Sequence, residues 1–166
     1  MKWKMQAIDG TLLNKISIIL KKQNLKIATA ESCTGGLIAH TLTNIAGASD
    51  YFDRGVVSYS NKSKTELLGV PKKLIDKYGA VSNPVAKAMA DGIRVKSEVD
   101  IGISTTGIAG PTGGTKEKPV GLVFIAISTK DNVSVKKYQF GGNRTQNKYD
   151  TCKAALDMLY DNLKRW

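Results

Sequence analysis

Histidine and cysteine, the residue types most often used for metal binding and acid–base chemistry, are scarce in this chain. It has one histidine and two cysteines among 166 residues. The single histidine, His40, cannot supply a histidine-based metal site, and Cys33 and Cys152 are too few and too far apart in sequence for a disulfide framework. We therefore expect free thiols, a cytoplasmic location and no cofactor, and a metal site built from Cys33 and carboxylates is the alternative that stays open.

Long apolar runs are also missing. No run approaches the roughly 20 residues that a membrane-spanning helix needs, and Met1 to Gln6 lack the apolar stretch of a signal peptide. Aromatic residues make up only 7% of the chain, although 42% of it is hydrophobic. This length and composition predict one domain, residues 1–166, with a packed core and no membrane partner.

Negative charge is in deficit, since the formal net charge is +11. A basic chain favours anionic partners, nucleic acid among them. The lysines, however, are scattered in pairs such as Lys21-Lys22 and Lys136-Lys137, and no dense basic run occurs. The pattern therefore predicts a solvated basic surface and no nucleic-acid interface, whereas a small substrate that carries phosphate would also be attracted by the positive field.

Apolar periodicity divides the chain into alternating helices and strands. Helices are predicted at 9–24, 34–45, 61–68, 71–78, 82–97 and 144–164. Strands are predicted at 25–30, 55–60, 100–105, 120–128 and 133–140. Because no helix separates the last two strands, one of them is expected to run antiparallel. The pattern indicates an α/β fold, a three-layer α/β/α sandwich around a mixed, mostly parallel five-stranded sheet.

The most informative segment is residues 27–36, where an apolar strand ends in Glu-Ser-Cys-Thr-Gly-Gly before a helix. Ser32, Cys33 and Thr34 would then lie at a helix N-terminus, where free N–H groups favour negative charge. This favours a nucleophile beside an oxyanion or phosphate site, with Cys33 as the rival to Ser32. The alternative is that Ser32 or Thr34 merely caps the helix.

A serine nucleophile needs a base, and His40 is poorly placed to be one. It follows Ser32 by eight residues, roughly 12 Å along a helix, which is too far for direct proton transfer. Tyr59 and Lys64, at the end of the second strand, are better candidates. Burial can lower the pKa of a lysine enough to make it a base, and a tyrosine can relay the proton. Their alternative is a half-buried tyrosine and an exposed lysine.

A glycine-rich loop, residues 107–119, follows the third strand. Its glycines allow close backbone approach to a ligand, and Thr106 adds a hydroxyl. The loop lacks the Gly-Lys-Ser/Thr ending of a phosphate-binding P-loop, and an ordinary mobile loop is the alternative. Because this loop, the Ser32 turn and the residues after Tyr59 all follow strands, they are expected to converge at one rim of the sheet.

These segments together resemble the CinA C-terminal-domain family, the nicotinamide-nucleotide amidases, over roughly residues 10–163. The matching strings are Ala30-Glu31-Ser32-Cys33-Thr34-Gly35-Gly36, Gly55-Val56-Val57-Ser58-Tyr59-Ser60-Asn61 with Lys64, Thr106-Gly107-Ile108-Ala109-Gly110-Pro111, Gly113-Gly114 and Lys118-Pro119-Val120-Gly121. Several uncommon strings in the same order make the resemblance specific. It implies the same three-layer fold.

The resemblance also implies an activity: hydrolysis of the carboxamide of nicotinamide mononucleotide (NMN) to nicotinate mononucleotide and ammonia, without metal. Ser32 would be the nucleophile, assisted by Tyr59 and Lys64. The oxyanion and substrate contacts would come from Glu31, Cys33, Thr34, Gly35, Gly36, Asn61, Thr106, Gly107, Gly110, Gly113, Gly114 and Arg144. Where the family often has Gly-Asp-Arg, this chain has Gly142-Asn143-Arg144, and the retained arginine is a candidate phosphate ligand.

Two other functions stay open on the sequence. One is a catalytically degenerate domain that still binds a pyridine nucleotide, and the other is an accessory protein associated with competence or DNA damage. A homodimer is plausible for the family. Many relatives carry a further N-terminal domain related to molybdopterin-binding proteins, and the activities of that domain are not transferred to this chain.

Overall fold

The computed structural model describes residues 9–165, so the predicted features of Met1 to Gln6 lie outside the described residues. Its strands are β1 (Ile27–Glu31), β2 (Phe52–Val57), β3 (Ile101–Gly107), β4 (Leu122–Ser128) and β5 (Val133–Gln139). They form a single sheet in the order β2-β1-β3-β4-β5. β1 is parallel to β2 and β3, while β4 is antiparallel to both of its neighbours. This confirms a mixed, mostly parallel sheet in which one of the last two strands runs against the others.

Helices cover both faces of the sheet. They are α1 (Gly10–Lys22), α2 (Leu37–Thr43), α3 (Asn61–Leu68), α4 (Lys72–Tyr78), α5 (Asn83–Lys96) and α6 (Arg144–Leu163). α1, α2 and α6 pack together on one face, and α3, α4 and α5 pack together on the other. The predicted three-layer α/β/α sandwich is therefore confirmed.

The strand sequences agree with their positions in the sheet. β1 lies in the interior between β2 and β3, and all five of its residues are buried. A strand covered on both faces is expected to lack polar alternation. β5 lies at one edge and carries the exposed Lys136 and Lys137, the kind of charged side chain that discourages pairing with another chain.

Several predicted boundaries were wrong by two or three residues; three of them have a local cause in the structure, and glycine geometry explains two of these. α2 begins at Leu37 rather than near Thr34, because Gly36 has the left-handed φ of 97° and ends any helical continuity with the preceding turn. β4 begins at Leu122 rather than Val120, because Gly121 (φ 87°) turns the chain immediately before it.

The third wrong boundary is that of β2, which was predicted at 55–60 and lies three residues earlier at Phe52–Val57. Ser58 leaves the β-ladder after its N–H bonds to the carbonyl of Glu31, at 2.8 Å. Its own carbonyl is turned to the ammonium of Lys64, at 2.7 Å. The strand therefore ends at the residue whose carbonyl accepts a hydrogen bond from the Lys64 side chain instead of from a neighbouring strand.

Among residues 9–165, no helix has the length and apolarity to cross a membrane.

Candidate active site

The turn Ser32–Gly36 follows β1 at the rim where the carboxyl ends of the three parallel strands meet. The N–H of Ser32 donates to the carbonyl of Thr105 on β3, at 3.0 Å, and the N–H of Gly35 donates to the carbonyl of Ser32, at 3.1 Å. Ser32 is thus held by a neighbouring strand and by its own turn. Its residue surface is 8% exposed, so the hydroxyl lies in a largely desolvated position.

Lys64 lies directly against Ser32. Its Nζ is 3.0 Å from the Ser32 Oγ, and only 1% of the residue is exposed. The same Nζ donates to the carbonyls of Ser58, at 2.7 Å, and Tyr59, at 3.3 Å. An ammonium has three N–H donors, and these three oxygens receive them. When the lysine is neutral, two N–H groups can remain on the carbonyls while the lone pair faces the serine hydroxyl.

Burial of Lys64 changes its proton affinity in the direction that a base needs. Desolvation disfavours the ammonium and lowers the pKa of Lys64 from 10.5 to about 8. At pH 7 a pKa of about 8 leaves roughly one lysine in ten neutral, against about one in 3,000 for an ordinary lysine. The site therefore holds a usable fraction of free amine within hydrogen-bond distance of a hydroxyl.

A capping box sets the start of α3 and thereby the position of Lys64. The Ser60 Oγ accepts from the N–H of Ser63, at 3.0 Å, and the Ser63 Oγ accepts from the N–H of Ser60, at 3.1 Å. This pair satisfies two backbone donors at the helix start. Lys64 follows Ser63 directly. Its side chain therefore points back toward the end of β2, where its Nζ contacts both the Ser58 carbonyl and the Ser32 hydroxyl.

Tyr59 contacts Lys64 in a different way from the one predicted. The contact with Lys64 Nζ is made by the Tyr59 carbonyl, whereas the phenol hydroxyl accepts from Arg144 Nη2, at 2.9 Å. Tyr59 is 60% exposed. The phenol is therefore not placed to relay a proton from Lys64 in this structure, because its hydroxyl is bonded to a guanidinium at the surface.

Cys33 and His40 are both poor candidates for the chemistry. Cys33 is 5% exposed and packs in the core, and burial raises the pKa of its thiol to about 12, which disfavours the reactive thiolate. His40 is exposed on α2, with its Nε2 3.4 Å from Asn44 Nδ2.

Within the described part of the chain, no group of three or more His, Cys, Asp or Glu side chains could hold a metal ion. Metal-independence of the reaction stays a prediction.

Glu31 was predicted to contact substrate, but it is buried beneath the turn and bonds to the protein's own backbone. Its carboxylate accepts from the N–H groups of Gly36, Ile38 and Ala39 at 3.0, 3.1 and 2.8 Å. The residue is 1% exposed. Glu31 therefore caps the start of α2, where free N–H groups and the helix dipole favour an anion, and it fixes the C-terminal end of the turn that carries Ser32.

We expect Glu31→Ala to lower the free energy of unfolding by about 3 kcal/mol or more, because it leaves three N–H groups at a buried helix end without their charged acceptor. Denaturant unfolding followed by circular dichroism measures this. Asp9→Ala is the matched control, since Asp9 caps α1 through one exposed bond to the Thr11 N–H, at 2.8 Å, and such a cap contributes about 1 kcal/mol. An equal loss in both variants would contradict the role assigned to Glu31.

Backbone N–H groups between Cys33 and Gly36 were predicted to stabilise an oxyanion, and hydrogen bonds within the protein reduce the number that are available. The N–H groups of Gly35 and Gly36 already donate to Ser32 and Glu31. Those of Cys33 and Thr34 have no oxygen acceptor among residues 9–165. The Thr34 hydroxyl is paired with that of Thr105, at 2.8 Å. Thr34 is fully buried, so the N–H of Cys33, a residue that is 5% exposed, is the remaining candidate to stabilise a developing oxyanion.

The glycine-rich loop owes much of its composition to its own packing. A Cβ at Gly107 would lie 2.6 Å from Val123 Cγ2, and one at Gly114 would lie 2.7 Å from the backbone nitrogen of Val120. Gly110 and Gly113 have φ of 89° and 90°. The hydroxyl of Thr106 is buried and donates to the Ala80 carbonyl, at 2.8 Å. None of these contacts needs a ligand, so a substrate role for these residues stays a prediction.

Arg144 joins the loop to the rest of the rim. Its Nη1 donates to the Gly110 carbonyl, at 2.8 Å, while Nη2 holds the Tyr59 hydroxyl. The preceding Asn143 keeps a helix cap despite the departure from aspartate, since its Oδ1 accepts from the Gln146 N–H, at 3.0 Å. Asn61 lies exposed at the first position of α3. Phosphate binding by Arg144 and substrate contact by Asn61 both stay predictions.

The sequence reasoning missed Lys148. Its Nζ lies beside the turn that carries Ser32, 3.4 Å from where a Cβ of Gly35 would be. The available signal was its position four residues after Arg144 on a predicted helix, which places both cations on one face.

Comparisons with known proteins show the family to which this chain belongs. The sequence profile described as CinA C-terminal domain matches residues 9–163. This chain belongs to the CinA C-terminal domain family. It is 51% identical over 154 residues to a protein described as competence-damage inducible from Caldicellulosiruptor bescii, and 49% identical over 152 residues to a CinA-like protein from Syntrophus aciditrophicus. These alignments cover 92% and 91% of this chain but only 38% and 36% of the relatives.

Solved structures show the same fold in other members. The competence/damage inducible protein CihA from Agrobacterium tumefaciens aligns with a TM-score of 0.89 at 41% identity, covering 96% of this chain and 99% of that one. The competence damage-inducible protein A (ComA) from Klebsiella pneumoniae aligns with a TM-score of 0.91 at 31% identity, covering 94% and 97%. The chain therefore spans less than two fifths of its longer relatives yet nearly the whole of these structures.

Proposed function

We propose that this CinA domain is an amidase that hydrolyses the carboxamide of NMN to nicotinate mononucleotide and ammonia. The observation that carries the proposal is the buried contact of 3.0 Å between Ser32 Oγ and Lys64 Nζ. A hydroxyl beside a lysine of lowered pKa is an activated nucleophile of the serine–lysine kind. The choice of NMN rests on the resemblance to nicotinamide-nucleotide amidases.

In the first half of the reaction, neutral Lys64 takes the proton of the Ser32 hydroxyl as its oxygen attacks the carboxamide carbon. The carbonyl oxygen of the substrate gains the negative charge, which the N–H of Cys33 stabilises. Lys64 then gives its proton to the departing nitrogen. The C–N bond breaks, ammonia leaves, and a nicotinoyl ester of Ser32 remains.

In the second half, a water molecule takes the place of ammonia. Lys64, neutral again, removes a proton from the water as it attacks the ester carbon, and returns that proton to the Ser32 oxygen when the ester breaks. The product forms as the carboxylic acid and loses its remaining proton to solvent to become the carboxylate, and Ser32 and Lys64 are restored. The carbonyls of Ser58 and Tyr59 hold the amine in one orientation in both halves.

The direct test is ammonia release from NMN by the purified protein in the presence of a chelator, with nicotinate mononucleotide identified as the second product. Stoichiometric formation of both is the expected result. Binding of NMN without release would instead support the degenerate binding domain. Absence of both release and binding would reject NMN as the ligand. An accessory role in competence would then be tested by salt-dependent DNA binding.

A further inference from the structure

Lys148 is a cation at the active-site rim that the proposed chemistry does not use. It lies on α6, one helical turn after Arg144, and its residue surface is half-buried. Its Nζ lies close to Gly35, because a Cβ at that position would be 3.4 Å from the Lys148 Nζ. The ammonium is therefore held beside the turn that carries Ser32 and not in open solvent.

The Lys148 ammonium has no anionic partner among the residues that the structure describes. Among residues 9–165 it makes no ion pair, and it donates to no side-chain or carbonyl oxygen. Lys62 and Lys72, by contrast, each pair with an acidic residue one turn along their helix. The neighbouring Arg144 already donates to Gly110 and Tyr59. Lys148 is thus the cation on this face of α6 whose hydrogen-bonding capacity is left for another molecule.

We propose that Lys148 binds the phosphate of the substrate and so selects nucleotide amides over nucleoside amides. This inference rests on the proposed function, because it assigns a specificity determinant to the same site. A phosphate monoester supplies what this half-buried ammonium lacks, since it brings two negative charges and several acceptor oxygens. The four-carbon stem of lysine lets the charge follow the phosphate while Ser32 holds the amide end.

The test compares NMN with nicotinamide riboside, which has the same amide but no phosphate. We expect Lys148→Gln to lower kcat/KM for NMN by about 10- to 100-fold, mainly through a higher KM, since a charge-assisted hydrogen bond is lost. For the riboside the change is expected to stay below about twofold. Lys153→Gln is the matched control, because Lys153 is an exposed lysine on the same helix that faces the groove beside α1.

Two results would overturn the assignment. An equal fall for both substrates would place Lys148 at the reacting amide, and unchanged kinetics for both would leave it without a role in specificity. If the wild-type protein releases no ammonia, the proposed function fails by itself. Lys148 is then tested by titrating wild-type, Lys148→Gln and Lys153→Gln proteins with inorganic phosphate and nicotinate mononucleotide by NMR. Weaker binding only in Lys148→Gln supports the anion site, and equal binding in all three rejects it.

Discussion

Ser32→Ala is expected to lower the rate of ammonia release from NMN by at least about 10³-fold, because it removes the atom that would form the acyl-enzyme. The fold should survive, since the backbone bonds of Ser32 to Thr105 and Gly35 do not involve its side chain. The free energy of unfolding is expected to change by about 1 kcal/mol, the usual contribution of one hydrogen bond. Ammonia release, with circular dichroism to verify folding, measures both effects.

Cys33→Ser is the matched control for this experiment. It alters the adjacent residue of the same turn but keeps the backbone N–H that we assign to the oxyanion. Because the thiol is buried and its pKa is raised to about 12, the variant should retain activity within about tenfold. An inactive Cys33→Ser protein with a normal circular dichroism spectrum, alongside an active Ser32→Ala protein, would exchange the roles of the two residues.

Lys64→Met should also abolish turnover, by a comparable factor, because the serine would lose its base and the leaving nitrogen its acid. Lys64→Arg is expected to be inactive as well, since a guanidinium keeps its charge but does not deprotonate in proteins. Lys62→Met is the control on the same helix, because this exposed lysine pairs with Glu66 at the surface and not with Ser32. Lys62→Met should retain wild-type activity.

The pH profile of the wild-type enzyme tests the role of Lys64 independently. The pKa of Lys64 is lowered to about 8, so the neutral amine becomes the major form above that pH. If neutral Lys64 is the base, kcat/KM should rise about tenfold per pH unit below 8 and level off above it. A rate that falls as the pH rises through 8 would instead mean that the ammonium form is required.

Ser58→Ala distinguishes the role of the Ser58 carbonyl, which contacts Lys64, from that of the Ser58 hydroxyl. The Ser58 hydroxyl is buried and has no hydrogen-bond partner among the described residues, whereas its carbonyl accepts from Lys64. Loss of the hydroxyl should therefore leave both activity and the pH profile almost unchanged. A large shift of the profile would show that the hydroxyl, not the carbonyl, sets the state of Lys64.

Much of the fold could be predicted because its signals are local. The spacing of apolar residues is set by helix and strand geometry, so the alternation of elements and the antiparallel strand near the chain's end followed from the pattern alone. The ends of strands were less predictable. β2 stops at Val57 because the next carbonyl bonds to Lys64, a contact that no propensity encodes.

The fold class, the family and the candidates Ser32 and Lys64 could all be predicted from the residues, since a strand-to-turn motif and the scarcity of histidine are visible in them. The contacts made at the active-site rim became visible only in the folded protein. Folding brought Lys64 to Ser32 across 32 positions of sequence, buried Glu31 as a helix cap, turned the Tyr59 phenol to Arg144, and placed Lys148 over Gly35. These outcomes depend on which backbone N–H and carbonyl groups are already occupied and on which side chains lose water. Both are properties of packed neighbours rather than of sequence spacing.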